Sequence, residues 1–375
     1  MTTNLKNDEL PSLELNQVSK SYLSKKVLNR ISIKLFRGKI TCLLGPSGCG
    51  KSTTLKIISG IERQDEGKVF LDNCLVSESK SENSSPEERK IGFVFQDFAL
   101  FPHLTVFENV AYGLKGRVDA NMLNKRVNEL LQKVNLEDFA FKYPHMLSGG
   151  EQQRIALIRA IAPKPKVMLM DEPFSGLDDR LRDEIRDYTL SLLREEKAAV
   201  LLVTHDPNEA MKMADNIALM REGKVVQQGA PYNIYNSPID IDVAKFFSDI
   251  NIIEGIVSNS QVDTPFGPFF TPGLVNGTTV SIAIRPQHLK LDFDRNGKGP
   301  EPSPSDGIAA KAYVLTARFV GKESIVELEI KNYLLRFRVT IPGVFLPPSG
   351  VALWVSMRRD RCFVFPKKIN NGVEH

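Results

Sequence analysis

Residues Gly45 to Thr53 read GPSGCGKST and satisfy the pattern G-x-x-x-x-G-K-[ST]. The apolar run Ile40 to Leu44 precedes the loop, and a helical pattern, Lys51 to Ile58, follows it. Strand, glycine-rich loop and helix in that order form a phosphate cradle, because the glycines let the backbone curl its N–H groups toward phosphate oxygens at the positive end of a helix dipole. The nine loop residues Gly45, Pro46, Ser47, Gly48, Cys49, Gly50, Lys51, Ser52 and Thr53 are therefore candidates for holding a nucleoside triphosphate. Within the cradle, Lys51 is expected to reach the β- and γ-phosphates and the Ser52 hydroxyl to ligate Mg²⁺.

Apolar runs of strand length alternate with helical patterns on both sides of this loop, with Val167 to Met170 and Val200 to Val203 as further strands. Such alternation predicts an α/β domain on a largely parallel sheet. The run VMLMDEP delivers Asp171 and Glu172 at the carboxyl end of a strand, where open α/β sheets form their ligand sites. There Asp171 would hold Mg²⁺, and Glu172 would orient or deprotonate an attacking water. In LSGGEQQR, Leu147 to Arg154, Ser148 and Glu151 have capping-box spacing, and Ile155, Leu157, Ile158 and Ile161 supply the buried face of the following helix. A helix start bearing Gly149 and Gly150 is a second anion site.

Between about residues 97 and 163 the pattern is helical, with Val127, Leu130, Leu131 and Val134 at three- and four-residue spacing, and reads as a helical insert. The charged, serine-rich stretch Ser77 to Lys90 reads as a solvated loop. After about residue 250, short β-rich runs separated by Gly, Pro and Asn predict a small barrel: Thr278 to Ile284, Ala312 to Val320, Ser324 to Ile330, Leu334 to Val339 and Val351 to Val355.

Composition narrows the function. The 375 residues carry 49 Lys+Arg against 45 Asp+Glu, a net charge of +4 that supplies no electrostatic case for nucleic acid. With 42% hydrophobic and 25% charged residues, most of the chain is expected to fold. Cys42, Cys49, Cys74 and Cys362 have no CxxC spacing, so neither a zinc site nor a disulfide scaffold is expected, and a reducing compartment fits. The start MTTNLKNDEL lacks a signal-peptide core, and no apolar run approaches the roughly 20 residues of a membrane helix, so any membrane association is expected to run through a partner.

Six motifs in order then carry a resemblance: the phosphate loop, Gln96 in FVFQDFALFPHLTV, LSGGEQQR, VMLMDEP, SGLD at Ser175 to Asp178, and VTHD at Val203 to Asp206. Across residues 1–240 the chain resembles the ATP-binding subunits of ATP-binding cassette (ABC) importers. The resemblance implies a P-loop NTPase cassette whose two copies pair head to tail, so that the ATP on one chain's loop is completed by Ser148, Gly149 and Gly150 of the other. It further implies that Tyr22 stacks on adenine, that Gln96 senses the γ-phosphate, helps hold Mg²⁺ and links to the membrane subunit, that Asp178 crosses the dimer interface, and that His205 contacts the γ-phosphate and supports Glu172.

The segment SIAIRPQHLKL, Ser281 to Leu291, resembles the OB-like, TOBE-type barrel appended to importer ATPases of the sugar, polyamine, ferric-ion and oxyanion groups, so residues 241–375 are expected to form a linker and that barrel. The implied protein is a peripheral ATPase on the cytoplasmic face of the inner membrane. Its implied partners are a second copy of itself, two integral permease subunits and, indirectly, an extracytoplasmic solute-binding protein, with no nucleic acid. The runs Leu201 to Pro238 and Phe93 to Leu114 look closest to the ferric-ion group, which makes ferric ion the expected cargo and a polyamine, sugar or oxyanion the alternative. Two other classes stay open: a non-transport ABC ATPase, against which the lack of coiled coils, zinc modules and a second cassette speaks, and a nucleotide-switched regulatory protein, against which Glu172 and His205 speak.

Overall fold

The computed structural model describes residues 10–79, 81, 83–175, 179–293 and 298–367. The chain divides into two compact units, residues 1–236 and 237–375. Along the first unit run β1 (Leu13–Tyr22), β2 (Lys25–Leu35), β3 (Ile40–Leu44), α1 (Lys51–Ser59), β4 (Glu66–Leu71), β5 (Cys74–Glu78), α2 (Pro86–Arg89) and β6 (Gly92–Val94). There follow α3 (Val106–Ala111), α4 (Ala120–Lys133), α5 (Gly149–Ile161), β7 (Val167–Asp171) and α6 (Asp179–Glu196). The unit ends with β8 (Ala199–Thr204), α7 (Pro207–Met213), β9 (Asn216–Arg221), β10 (Lys224–Gly229) and α8 (Pro231–Asn236).

The central sheet has the order β10-β9-β3-β8-β7-β6. Strands β9, β3, β8, β7 and β6 are parallel, and β10 returns antiparallel beside β9. Every residue of β3 and β8 is buried, as expected of parallel strands covered on both faces. Residues Leu44, Thr204 and Asp171 end their strands at matching heights, since Leu44 pairs with Thr204 and Asp171 with Val203. That register places the loops after β3, β8, β7 and β6 along one edge, so the α/β expectation holds.

A second, antiparallel sheet, β2-β1-β4-β5, packs into the same core. It lies outside the elements expected from the sequence, although Ile31, Ile33 and Leu35 alternate inward along β2 with period 2. In the helical segment, Val127, Leu130, Leu131 and Val134 are all buried, as their spacing predicts. The stretch from Ser77 to Lys90 differs from the solvated loop that its composition suggests. Ser77 is buried against Gln64, and Arg89 is 5% exposed, with its Nη1 donating to the Ile57 and Ile58 carbonyls at 2.7 and 2.6 Å. The guanidinium bonds carbonyls in the last turn of α1, where Ile57 also accepts the N–H of the C-cap Gly60, and burial pushes its pKa down to about 10.

The second unit opens with α9 (Ile241–Phe247) and then is all β: β11 (Asn251–Ile256), β12 (Gln261–Val262), β13 (Phe269–Phe270), β14 (Thr279–Ile284) and β15 (Leu289–Phe293). After these come β16 (Ala310–Phe319), β17 (Glu323–Ile330), β18 (Leu335–Pro342), β19 (Ala352–Met357) and β20 (Phe363–Pro366). Hydrogen bonding divides them into sheets β11-β14-β20, β12-β13 and β15-β19-β16-β17-β18, the last curled so that β15 and β18 approach across the core. Alternate residues of β17 point inward, and Phe266 and Phe337 meet edge to face at 5.6 Å. Because each unit owns its core, a chain ending at residue 240 is expected to fold and to unfold in one cooperative transition. Loss of native far-UV CD in that truncation would contradict it.

Candidate functional site

The phosphate loop leaves β3 at Leu44 and enters α1 at Lys51. Gly48 and Gly50 take φ values of +78° and +111°, which side chains other than glycine rarely adopt. At Gly50 an added Cβ would also lie 2.5 Å from Leu28 Cδ2 and 2.9 Å from the Val27 carbonyl oxygen. At Gly48 the space is open, so only backbone conformation selects glycine there. Lys51 is buried, and its Nζ donates to the Gly45 and Pro46 carbonyls at 2.8 and 3.0 Å. The ammonium thus rests inside the curl of Gly45, Pro46, Ser47, Gly48 and Cys49, while Ser52 and Thr53 occupy the first turn of α1.

Two strands away, Asp171 ends β7 near the Ser52 hydroxyl. Burial pushes the Asp171 carboxyl up, the neighbouring Glu172 charge pushes the same way, and the Ser52 hydroxyl and Lys51 oppose them. Glu172 leaves the strand in a left-handed conformation, φ +43°, that is costly for a residue with a Cβ. Its backbone N–H donates to the Val203 carbonyl at 3.0 Å, and its own carbonyl accepts from the backbone N–H and the hydroxyl of Ser175. The turn is held from both sides, and it aims the Glu172 carboxylate at His205, whose Nδ1 lies 3.0 Å from Oε2. Ser52, Lys51, Asp171, Glu172 and His205 are therefore assembled along the carboxyl edge of β3, β7 and β8.

Among the described residues no hydrogen bond ties the other candidates to this group. Tyr22 closes β1, the residue 41% exposed and the Lys20 ammonium 5.3 Å from its ring centroid. Gln96 is exposed two residues beyond β6, on the same sheet edge. The loop after it is pinned by a residue that pattern reading passed over: the Arg159 guanidinium donates to the Phe98 and Ala99 carbonyls at 2.8 and 2.6 Å. Asn109 fixes the next turn through Phe101 and Leu104.

Ser148 caps α5 in a complete capping box: the Glu151 N–H donates to its hydroxyl, and the Ser148 N–H donates to the Glu151 carboxylate at 2.7 Å. Burial raises the Glu151 pKa, but the bonds from Ser148 outweigh it and hold the carboxyl below its usual value. An added Cβ at Gly149 would touch nothing within 4 Å, so internal packing does not require glycine there. Among the described residues no hydrogen bond or ion pair joins Ser148, Gly149 and Gly150 to the Lys51 group of the same chain. Asp178 lies outside the described residues.

Residues 28–175 match the family model described as ABC transporter. Over 329 residues the chain is 36% identical to the spermidine/putrescine import ATP-binding protein PotA of Vibrio cholerae, covering 85% of this chain and 84% of that protein. The chain belongs to the ABC transporter family of ATP-binding proteins. The putrescine transport ATP-binding protein PotG of Escherichia coli is 35% identical over 86% of this chain and 85% of its own length. Among solved structures, cbiO1 of Clostridium perfringens, part of the ABC transporter complex cbiONQ, superposes with a TM-score of 0.56 at 29% identity, covering 61% of this chain and 92% of that one. The cassette MJ0796, solved as a dimer in a post-hydrolysis state bound to ADP and Pi, gives a TM-score of 0.52 at 34% identity, covering 58% of this chain and 98% of that one. ABC cassettes bind ATP, and the present chain carries one.

Proposed function

We propose that the chain is the ATP-hydrolysing subunit of an importer for polyamines. The observation that carries the hydrolytic part is the meeting of Lys51, Ser52, Asp171, Glu172 and His205 on one sheet edge, with the Glu172 carboxylate held 3.0 Å from the imidazole. In this reading Lys51 exchanges the Gly45 and Pro46 carbonyls for β- and γ-phosphate oxygens. Ser52, Asp171 and Gln96 offer only hard oxygen donors, which suits Mg²⁺. Bound there, Mg²⁺ would neutralise charge developing on the phosphates. Glu172 orients and deprotonates the attacking water, and His205 holds that carboxylate and contacts the γ-phosphate. Tyr22 stacks on the adenine.

That Ser148, Gly149 and Gly150 share no hydrogen bond or ion pair with their own chain's loop among the described residues fits a head-to-tail pair in which each α5 N-terminus closes the other copy's site. Asp178 is assigned to that interface from the motif alone. Among the described residues no helix is long and apolar enough to cross a membrane. In this reading, which rests on the import ATP-binding proteins it resembles, the chain sits at the cytoplasmic face of the membrane, bound to two permease subunits that a solute-binding protein supplies from outside. ATP binding closes the pair and hydrolysis reopens it.

Polyamines replace the ferric ion expected from the Leu201 to Pro238 run, because the relatives described above carry spermidine and putrescine in their names and ferric ion gains no support from them. The cassette touches permeases and not cargo, so that run tracks kinship among ATPases and holds no group selected by an ion. Deleting the gene is expected to abolish uptake of labelled putrescine and spermidine while growth under iron limitation stays normal. Retained polyamine uptake together with lost Fe³⁺ uptake would reverse the assignment.

A further inference from the structure

The turn from β8 to α7 holds a buried hydrogen-bond chain that the roles above leave unused. Thr204, the last residue of β8, is buried. Its hydroxyl donates to Glu209 Oε2 at 2.6 Å and accepts the backbone N–H of Asp206 at 3.0 Å. Glu209 is buried on the first turn of α7. Asp206 caps that helix, its Oδ1 accepting from the Asn208 N–H at 2.7 Å. Between Thr204 and Asp206 sits His205, 58% exposed at its side chain, with its Nδ1 on Glu172. Thr204, His205, Asp206 and Glu209 also line a cavity of about 230 Å³ that Glu172 and Phe174 close from the β7 side.

An exposed imidazole owes little of its direction to packing, so its backbone must supply it. Here the backbone on both flanks is tied to one oxygen atom. A hydroxyl can accept the Asp206 N–H in a fixed direction only while its proton is engaged elsewhere, and the Glu209 carboxylate engages it. We infer that Glu209 is a positioning residue, which through the Thr204 hydroxyl fixes the β8–α7 turn and so holds His205 against Glu172. The inference rests on the roles proposed above for Glu172 and His205.

The test is ATP turnover by the full-length chain. Thr204→Val keeps the side-chain shape and removes the hydroxyl, and it is expected to lower kcat about tenfold with the KM for ATP within about twofold of wild type, the signature of a misplaced group and not of weakened binding. Glu209→Ala should do the same, whereas Glu209→Gln, whose side-chain carbonyl still accepts from Thr204, should recover most of the rate. In a chain already carrying His205→Ala, adding Thr204→Val should change kcat by less than about twofold, because the group it positions is gone. Unchanged kcat in both Thr204→Val and Glu209→Ala, or an undiminished loss on top of His205→Ala, overturns the inference. If Thr204→Val does not fold, the Glu209→Ala and Glu209→Gln pair decides, since it leaves β8 untouched. Wild-type turnover in His205→Ala alone would remove the proposed role of His205 and the inference with it. A slow His205→Ala beside fast Thr204→Val and Glu209→Ala sinks only the positioning role.

Discussion

Glu172→Gln is expected to leave ATP binding intact and to cut hydrolysis by at least about 10²-fold, the scale set by loss of a positioned base. The substitution isolates chemistry from structure because the backbone fixes the residue. Its N–H is committed to Val203, its carbonyl to Ser175, and its left-handed φ of +43° is imposed from both sides. Glutamine has the same shape, and its amide still meets the His205 ring, so the phosphate loop and α1 keep their geometry. What disappears is the capacity to take a proton from water. The variant should therefore accumulate as an ATP-bound dimer, measured by nucleotide retention on gel filtration, while phosphate release stalls. Turnover within about threefold of wild type would remove Glu172 from proton transfer.

That strained turn marks the boundary of what the sequence discloses. VMLMDEP predicts a strand ending at a carboxylate pair, and β7 does end at Asp171. GPSGCGKST predicts strand, loop and helix, and β3 and α1 flank it at Leu44 and Lys51. Ser148 and Glu151 predict a capping box, and both halves of it form. Each of these readings concerns neighbours in the chain, where spacing and propensity are physical constraints on the same few bonds. The misses are long-range. Arg89, drawn from a stretch of charged and serine residues, is buried against carbonyls 31 and 32 positions away. Arg159 holds carbonyls about 60 positions upstream. No periodicity records which distant backbone atom a guanidinium meets, and a buried arginine is invisible where charge is read as exposure.

The antiparallel sheet beside the core was missed for a different reason. Register shifts interrupt β1 after Leu15, after Val18 and after Lys20, breaking the alternation that would announce a strand. In the second unit the strands obey period 2 without interruption along β17 and β19, and there the expected runs Ser324 to Ile330 and Val351 to Val355 meet their strands within two residues.

Ser148→Arg is expected to abolish hydrolysis while leaving ATP bound to the same chain. Ser148 and Gly149 sit exposed at the N-terminus of α5, with no group beyond the flanking residues and the helix's own backbone within 4 Å of an added Gly149 Cβ. An arginine there loses the N-cap bond, at a cost of about 1 kcal/mol that a folded domain tolerates. It also fills the space in which a second copy's triphosphate would lie. The defect therefore acts in trans: the variant should titrate with ATP normally and fail to form an ATP-driven dimer. Lys51→Ala is the complement, since it removes the cation from its own loop and leaves α5 intact. In a mixed dimer of the two, one composite site unites the intact Lys51 loop with the intact Ser148 terminus and the other carries both lesions. An equal mixture should accordingly regain at most about a quarter of wild-type turnover, half of the dimers being mixed and each holding one good site of two. Wild-type hydrolysis by Ser148→Arg alone, or full wild-type turnover in the mixture, would contradict the head-to-tail pair.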